Sequence, residues 1–314
     1  MRKHLPSAII LFVLLLALCF HAFAADNKSY SGTSTLAPTR SGYLFSSTLG
    51  IPYTAYADVI DPVTTGNVAA ELRTTPDITV NGTSIAHKAI LSTIDGVSYL
   101  SAAPVLTALF PQADITLEEG RLTASGENLR FEAIAGEAYF MVNDRYFYAP
   151  SLVAEQDGHL LLPVQSFTKA LGCTAVTDQE TGELIIRLVG PAATAGTYNE
   201  EDLYWLSRAI YSESGNQPMK GRIAVGTVIL NRVANEAFPN TIKEVVFAPG
   251  QFSPVANGTI YLEPDQRSVI AAKLCLDGVR EAKDCLYFNV TTMYSWADRS
   301  RTYFCTIGGH NFYL

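Results

Sequence analysis

The stretch NEEDLYWLSRAIYSESGNQPMKGRIAVGTVILNRV, residues 199–233, decides how the C-terminal third of the chain folds. Asn199 followed by Glu200, Glu201 and Asp202 has the form of a helix start, with an Asn side chain to cap the free N–H groups and acidic residues facing the positive helix end. Leu203, Leu206 and Ile210 then recur at helical spacing and predict one buried stripe. Gly215, Pro218 and Gly221 interrupt the pattern just after Ser212-Glu213-Ser214, so Glu213 is expected at the C-terminal end of a buried helix. The next helix is expected over 219–233, where Ile223, Val225, Val228, Ile229 and Val233 are too apolar all round for a surface helix. Arg232, near its end, is expected to satisfy the last carbonyls.

The placement of Glu213 has a chemical consequence. The negative helix end and an apolar neighbourhood both disfavour an ionised carboxylate, so its pKa should rise. A carboxylic acid still protonated near neutral pH can serve as the general acid for a glycosidic oxygen. Beyond this pair of helices, Phe238-Pro239-Asn240-Thr241 begins another helix toward Val246, Gly250 to Pro254 reads as a loop, and Glu263 to Asp277 returns to helical spacing. The tail, Leu286 to Asn289 and Thr302 to Tyr313, is rich in aromatics and polar amides, a composition that suits either a carbohydrate cleft or a core.

Upstream, the chain divides by composition. Arg2, Lys3 and His4, the apolar run from Ala8 to Phe20 and the small residues of Ala22-Phe23-Ala24 form a signal peptide over 1–24, with cleavage expected after Ala24. Residues 25–76, rich in Ser, Thr, Ala, Gly and Pro, read as a linker or weakly ordered arm, and 191–198 as a second linker. Between them lies an internal repeat. Asp95-Gly96 with the strand-like Val97 to Ser101 and the helical Val105 to Leu109 recurs as Asp157-Gly158, His159 to Pro163 and Phe167 to Leu171. Each copy predicts turn, strand, helix and strand, with a hairpin over Leu129 to Ile134 and Ala138 to Val142 between the copies and a turn at Asn143-Asp144.

No apolar run after Ala24 approaches the ~20 residues of a membrane helix, so no stable membrane insertion is expected after cleavage. The net charge of −8 becomes −10 once Arg2 and Lys3 are removed, which offers nucleic acid no electrostatic footprint. Cleavage leaves Cys173, Cys275, Cys285 and Cys305, and in an oxidising compartment a disulfide among the last three is expected without a defined pairing. The cysteine spacings match no zinc pattern and His87, His159 and His310 are scattered, so neither a metal nor another cofactor is expected.

The C-terminal motifs, in order, are Glu213-Ser214-Gly215-Asn216-Gln217-Pro218, Gly221 to Val225, Val228 to Val233, Phe238 to Ile242, Pro249-Gly250-Gln251-Phe252-Ser253 and Ile307 to Tyr313. Together they resemble the SleB-type cell wall hydrolases, named for the spore-cortex-lytic enzymes. The resemblance spans 199–314 and implies a lysozyme-like, mostly helical fold. It also implies cleavage of the bond between N-acetylmuramic acid and N-acetylglucosamine in peptidoglycan, with Glu213 in the catalytic position. Family members that act as lytic transglycosylases use one carboxyl group twice, as acid and then as base. Hydrolysis by two carboxylates needs a second one opposite, and Glu236, Glu244, Glu263 and Asp298 sit in no matching motif. Gln251, Phe252, Tyr287, Asn289 and His310 are placed by the resemblance along the cleft, either touching sugar, orienting the glutamate or packing.

The repeat over 77–190 resembles the stalk domain beside copper amine oxidase catalytic domains, on the Asp-Gly turns, Leu162-Pro163-Val164 and Ala170-Leu171-Gly172. Such a domain implies an α+β spacer or docking module without copper chemistry, and an envelope protein as its partner. It stands where the spore-cortex enzymes carry a small peptidoglycan-binding module, which loosens the link to cortex. The whole sequence therefore predicts an α+β chain, secreted to the cell envelope, that acts on peptidoglycan glycan strands. The competing expectation is a non-catalytic envelope-binding or structural protein.

Overall fold

In the computed structural model, which describes residues 77–314, both Asp-Gly pairs of the repeat form hairpin turns with φ positive at each residue: 49° and 76° at Asp95-Gly96, 51° and 75° at Asp157-Gly158. The signal peptide and arm expected at 1–24 and 25–76 lie outside the described residues. The first half begins with β1 (Ile78–Val80) and β2 (Thr83–Ser84), followed by the hairpin β3 (Leu91–Ile94) and β4 (Val97–Ser101) and by α1 (Ala102–Leu109). A meander follows: β5 (Asp114–Glu118), β6 (Arg121–Gly126), β7 (Leu129–Ile134), β8 (Tyr139–Val142) and β9 (Arg145–Tyr148). The second copy supplies β10 (Ala154–Gln156), β11 (His159–Pro163), α2 (Val164–Ala170), β12 (Cys173–Thr177) and β13 (Leu184–Leu188).

The two copies meet where their equivalent strands pair. β4 runs antiparallel to β11 with Leu100 opposite Leu162, and these are equivalent positions of the repeat. A local twofold axis therefore passes between them. Each strand leads directly into its helix, and each helix into a further hairpin, β5–β6 or β12–β13. The copies differ in what completes those hairpins. β7 to β9 extend the first into a five-stranded sheet, while β1 joins β13 in parallel. Leu100, Val105, Leu106, Leu162 and Phe167 are fully buried in the shared core, where the Phe131 and Phe167 rings meet edge to face at 5.9 Å.

The second half is built on three packed helices: α3 (Glu200–Ser214), α4 (Met219–Val233) and, beyond the short α5 (Ile242–Phe247) and α6 (Ser253–Asn257), α7 (Gln266–Leu276). Asn199 caps α3 by accepting the Asp202 N–H at 3.0 Å, and Asp265 caps α7 through Ser268 at 2.7 Å. α4 is buried on all sides because α3 and α7 cross it closely at Gly226. A Cβ there would stand 2.8 Å from the Cys275 sulfur and 2.9 Å from Ile210 Cδ1. Gly226→Val should lower stability by about 2–3 kcal/mol through overpacking. In denaturant unfolding, Cys275→Ala in the same chain should return part of that loss, and an additive double variant would show that the helices do not touch there.

The lysozyme-like, mostly helical expectation needs correction at the tail. β14 (Tyr287–Val290), α8 (Trp296–Ser300), β15 (Tyr303–Ile307) and β16 (His310–Tyr313) form a three-stranded antiparallel sheet in the order β14-β16-β15 with one short helix. Alternate aromatics here are sheet residues, with Phe288 opposite Phe312 and Tyr287 opposite Tyr313. The chain is thus mixed α and β in both halves. The loop expected at Gly250 to Pro254 in fact runs into α6.

The expected disulfide is absent: all four cysteines after Ala24 are free. Cys275 is enclosed between α4 and α7, its Sγ donating to Ile223 O at 3.5 Å, and burial pushes its thiol up to about 12. Burial likewise raises Cys285 to about 12.

The segment at 191–198 is more than a spacer. Ala193 N donates to Ala170 O at 2.8 Å and Asn143 Nδ2 to Ala193 O at 2.9 Å, which lay it along the first half. The β8–β9 hairpin then docks on α7. Arg145 pairs with Asp277 at 2.8 Å, Arg267 with Glu137 at 2.8 Å, and Tyr148 donates to Glu281 at 2.8 Å, while Ala138 joins the second hydrophobic core.

Candidate active site

Glu213 lies in the last turn of α3, one residue before its final Ser214. Burial raises its carboxyl to about 7, and the positive charge of Arg232 is the one influence pulling it back down. No hydrogen bond or ion pair holds this carboxyl among the described residues. The group is therefore largely protonated below neutrality and free to meet a ligand.

The backbone after Glu213 is clamped by a single buried cation. Arg222, on the first turn of α4, is 4% exposed. It donates to the carbonyls of Gly215 and Gln217, to Ser268 Oγ at 2.6 Å and to Asp265. Burial works against the Asp265 anion, but the Arg222 contact and the Ser268 N–H outweigh it and hold that carboxyl below its ordinary value. Gln217 extends the clamp to the sheet, its Oε1 accepting Gly309 N–H at 2.7 Å. Gly308 permits this approach: its φ is +56°, and a Cβ would fall 2.4 Å from Gln217 Oε1. Arg222 and Gln217 stood in the sequence motif around Glu213 without a role, because their partners lie up to 92 positions away in the chain.

Beside this loop is a nest of rings around a second buried cation. Arg232 lies 5.2, 5.3 and 5.6 Å from the ring centres of Phe238, Phe252 and Tyr287. Phe252 is 5% exposed and packs 6.3 Å from Phe288, whose ring meets that of His310 at 5.5 Å. His310 is buried, its Nδ1 has no partner, and burial pushes its pKa down, which keeps it neutral. Phe252, Tyr287 and His310, all expected at the cleft, are thus joined in one cluster. The structure treats the other two differently. Gln251 is exposed in the turn before α6, with no side-chain hydrogen bond among the described residues. Asn289 is engaged by protein: its Nδ2 lies 2.8 Å from Asp298 and 2.9 Å from Ser295 Oγ, and its Oδ1 accepts from Tyr313 at 3.0 Å.

From the nest, two surfaces lead outward. Phe238 borders an open groove of about 930 Å³ along 233–249, which Glu213 does not line and in which Asn235, Glu236, Asn240 and Glu244 supply the polar groups. In the other direction Tyr287 meets Trp296 at 5.7 Å, and Arg301 stacks on both rings at 4.5 Å. Trp296 is 53% exposed, an unusual position for so large a ring.

Of Glu236, Glu244, Glu263 and Asp298, three are engaged elsewhere. Glu263 pairs with Arg208, Glu244 accepts from Thr241 Oγ1 at 2.8 Å, and Asp298 is drawn down to about 2 by the Tyr313 hydroxyl and the Ser295 N–H in the capping box of α8. Glu236 is exposed on the groove. Among the described residues no group of three or more His, Cys, Asp or Glu is placed to hold a metal ion, and no helix is long and apolar enough to cross a membrane.

Residues 216–313 match a family model described as cell wall hydrolase. The C-terminal third of the chain carries a cell wall hydrolase domain. The match begins just after Glu213 and includes the Arg222 clamp, the Arg232 nest and the terminal sheet. Over 116 residues, 37% of this chain, the hydrolase domain is 38% identical to a spore cortex-lytic enzyme of Bacillus cereus, covering 45% of that protein. A spore cortex-lytic enzyme of Bacillus subtilis is 34% identical over 118 residues, 39% of its length. The chain thus spans less than half of these curated relatives. Among solved structures, the catalytic domain of the germination-specific lytic transglycosylase SleB from Bacillus anthracis is 34% identical, with 38% of this chain and all of that one covered and a TM-score of 0.36.

Proposed function

We propose that the hydrolase domain cleaves peptidoglycan between N-acetylmuramic acid and N-acetylglucosamine as a lytic transglycosylase, with Glu213 as its single acid and base. The observation that carries this reading is the Glu213 carboxyl itself: unpaired, raised to about 7 by burial, and next to a backbone turn fixed by Arg222. In the first step the carboxylic acid protonates the glycosidic oxygen and the bond from the muramic C1 breaks, leaving positive charge on the sugar and a carboxylate on Glu213. The carboxylate then takes the proton of the same sugar's C6 hydroxyl, whose oxygen closes on C1 to give a 1,6-anhydro ring. Glu213 ends protonated as it began, and no water is consumed. The commitment of Glu244, Glu263 and Asp298 to other partners favours this path over hydrolysis by two carboxylates. Mass spectrometry of the sugars released from sacculi tests it: anhydro-muramic ends are expected, and reducing ends would replace it by hydrolysis.

The Trp296 platform, continuous with the nest through Tyr287, is suited to stack on a sugar face. Trp296→Ala should weaken binding to purified sacculi roughly 2- to 10-fold in a sedimentation assay, and unchanged binding would remove the platform from the site. The first half acts in this reading as an accessory stalk-type domain over 77–190 that positions the hydrolase domain in the envelope through a protein partner, after export by the segment at 1–24. Sacculi that are bound without any fall in turbidity would instead favour a non-catalytic envelope-binding protein.

A further inference from the structure

Arg232 is held with more care than a helix end requires. Its Nε donates to Leu286 O at 2.7 Å, three aromatic rings surround its guanidinium, and the residue is 5% exposed. Yet its Nη1 is buried without any hydrogen-bond partner. An unpaired buried N–H of a cation is costly, more so than ring faces offset. A partner present in another state of the site accounts for it. The neighbouring acid is the fitting one: Arg232 and Glu213 each act on the other through their charges, although no ion pair joins them in the structure.

We propose that Nη1 of Arg232 is the reserved partner of the Glu213 carboxylate, which stands apart from it while protonated and turns onto it once its proton has passed to the leaving sugar oxygen. The inference rests on Glu213 being the catalytic acid. Arg232 is then a positioning residue that acts through Glu213 and keeps its own protons throughout. It holds the anion between bond cleavage and ring closure, and releases it when the C6 hydroxyl returns a proton. The other groups facing the pair do not compete for this role. On β14 the Tyr287 hydroxyl accepts from Arg301 at 3.0 Å, on β16 the buried His310 is neutral, and no other carboxylate acts on Glu213.

The test is the pH dependence of glycan release from sacculi by the full chain, compared with Arg232→Met, Arg232→Gln and Arg232→Lys. The two neutral variants should slow release roughly 10- to 100-fold, the size of a lost hydrogen bond to a charged group. They should also move the alkaline limb of the profile upward by about one pH unit, because the cation that favours the carboxylate is gone. Arg232→Lys should keep the limb near its wild-type position. A folded neutral variant whose limb does not move, or a lysine variant that moves as far as methionine, overturns the inference. Should neither neutral variant fold, isotope-edited infrared spectra of the wild-type glutamates between pH 5 and 9 decide it: a Glu213 carboxylate band typical of an ion pair is expected, and one typical of a hydrated carboxylate overturns it. Activity retained by Glu213→Gln, or no release by the wild type, defeats instead the reading on which this rests.

Discussion

Glu213→Gln should lose roughly 100- to 10,000-fold of the glycan-cleaving rate, the contribution of one general acid–base group, and should at the same time become the more stable protein above neutrality. The two effects share one cause. The carboxyl moves from its ordinary value of 4.5 to about 7 on folding, so between those values the folded chain binds more protons than the unfolded one. Stability from this group is then unaffected below about pH 4.5, falls as pH rises through the window, and is fully lost above about pH 7. Each unit is worth about 1.4 kcal/mol, and with allowance for the part of the side chain that reaches solvent the loss is about 2–3 kcal/mol. Glutamine fills the same space and carries no charge, so it avoids that loss. Denaturant unfolding at pH 5 and pH 8 should show the variant gaining on the wild type only at the higher pH. Equal stabilities at pH 8 would mean that the carboxyl is solvated and that the raised value, with the acid role built on it, is wrong.

Arg222→Met should be the most destabilising single change near the site, at about 3 kcal/mol, the lower end of the range for breaking a buried pair because Asp265 keeps partial access to water. For a cooperative unit of this size that is a fall of about 6–12 °C in Tm. The methionine covers the apolar part of the arginine but strips two loop carbonyls, Ser268 and Asp265 of their donor. Activity should fall further than stability alone explains, since Gln217 and the turn behind Glu213 lose their anchor. Thermal unfolding and release from sacculi, measured at a temperature where the variant is fully folded, separate the two effects. A variant with wild-type Tm would show that the clamp is incidental.

Much of this could be read from local sequence. The helix expected over 219–233 is found with those limits, and the Asn199 cap, both Asp-Gly turns and the strands after them lie where turn chemistry and periodicity place them. These features depend on residues close in the chain, so a window of ten or fifteen residues contains their causes. The tail depends on residues farther apart. Tyr287 to Val290 and His310 to Tyr313 are too short for period-2 alternation to declare itself, and what makes them strands is their pairing with each other across 20 or more positions.

The site divides along the same line. The position of the Glu213 carboxyl was legible because a helix end, two glycines and a proline mark it within ten residues of sequence. Sequence by itself thus determined where the carboxyl sits on its helix and that burial should keep it protonated. Only the tertiary structure decided what surrounds it: the Arg222 clamp, the Gln217 bridge to Gly309, the unpaired Nη1 of Arg232, and the cluster that joins Phe252, Tyr287 and His310 while Asn289 is engaged by Asp298 and Ser295. A guanidinium can meet a carboxylate, a carbonyl or a ring with similar ease, and which of them it meets depends on the packing of helices and sheet that are distant in the chain.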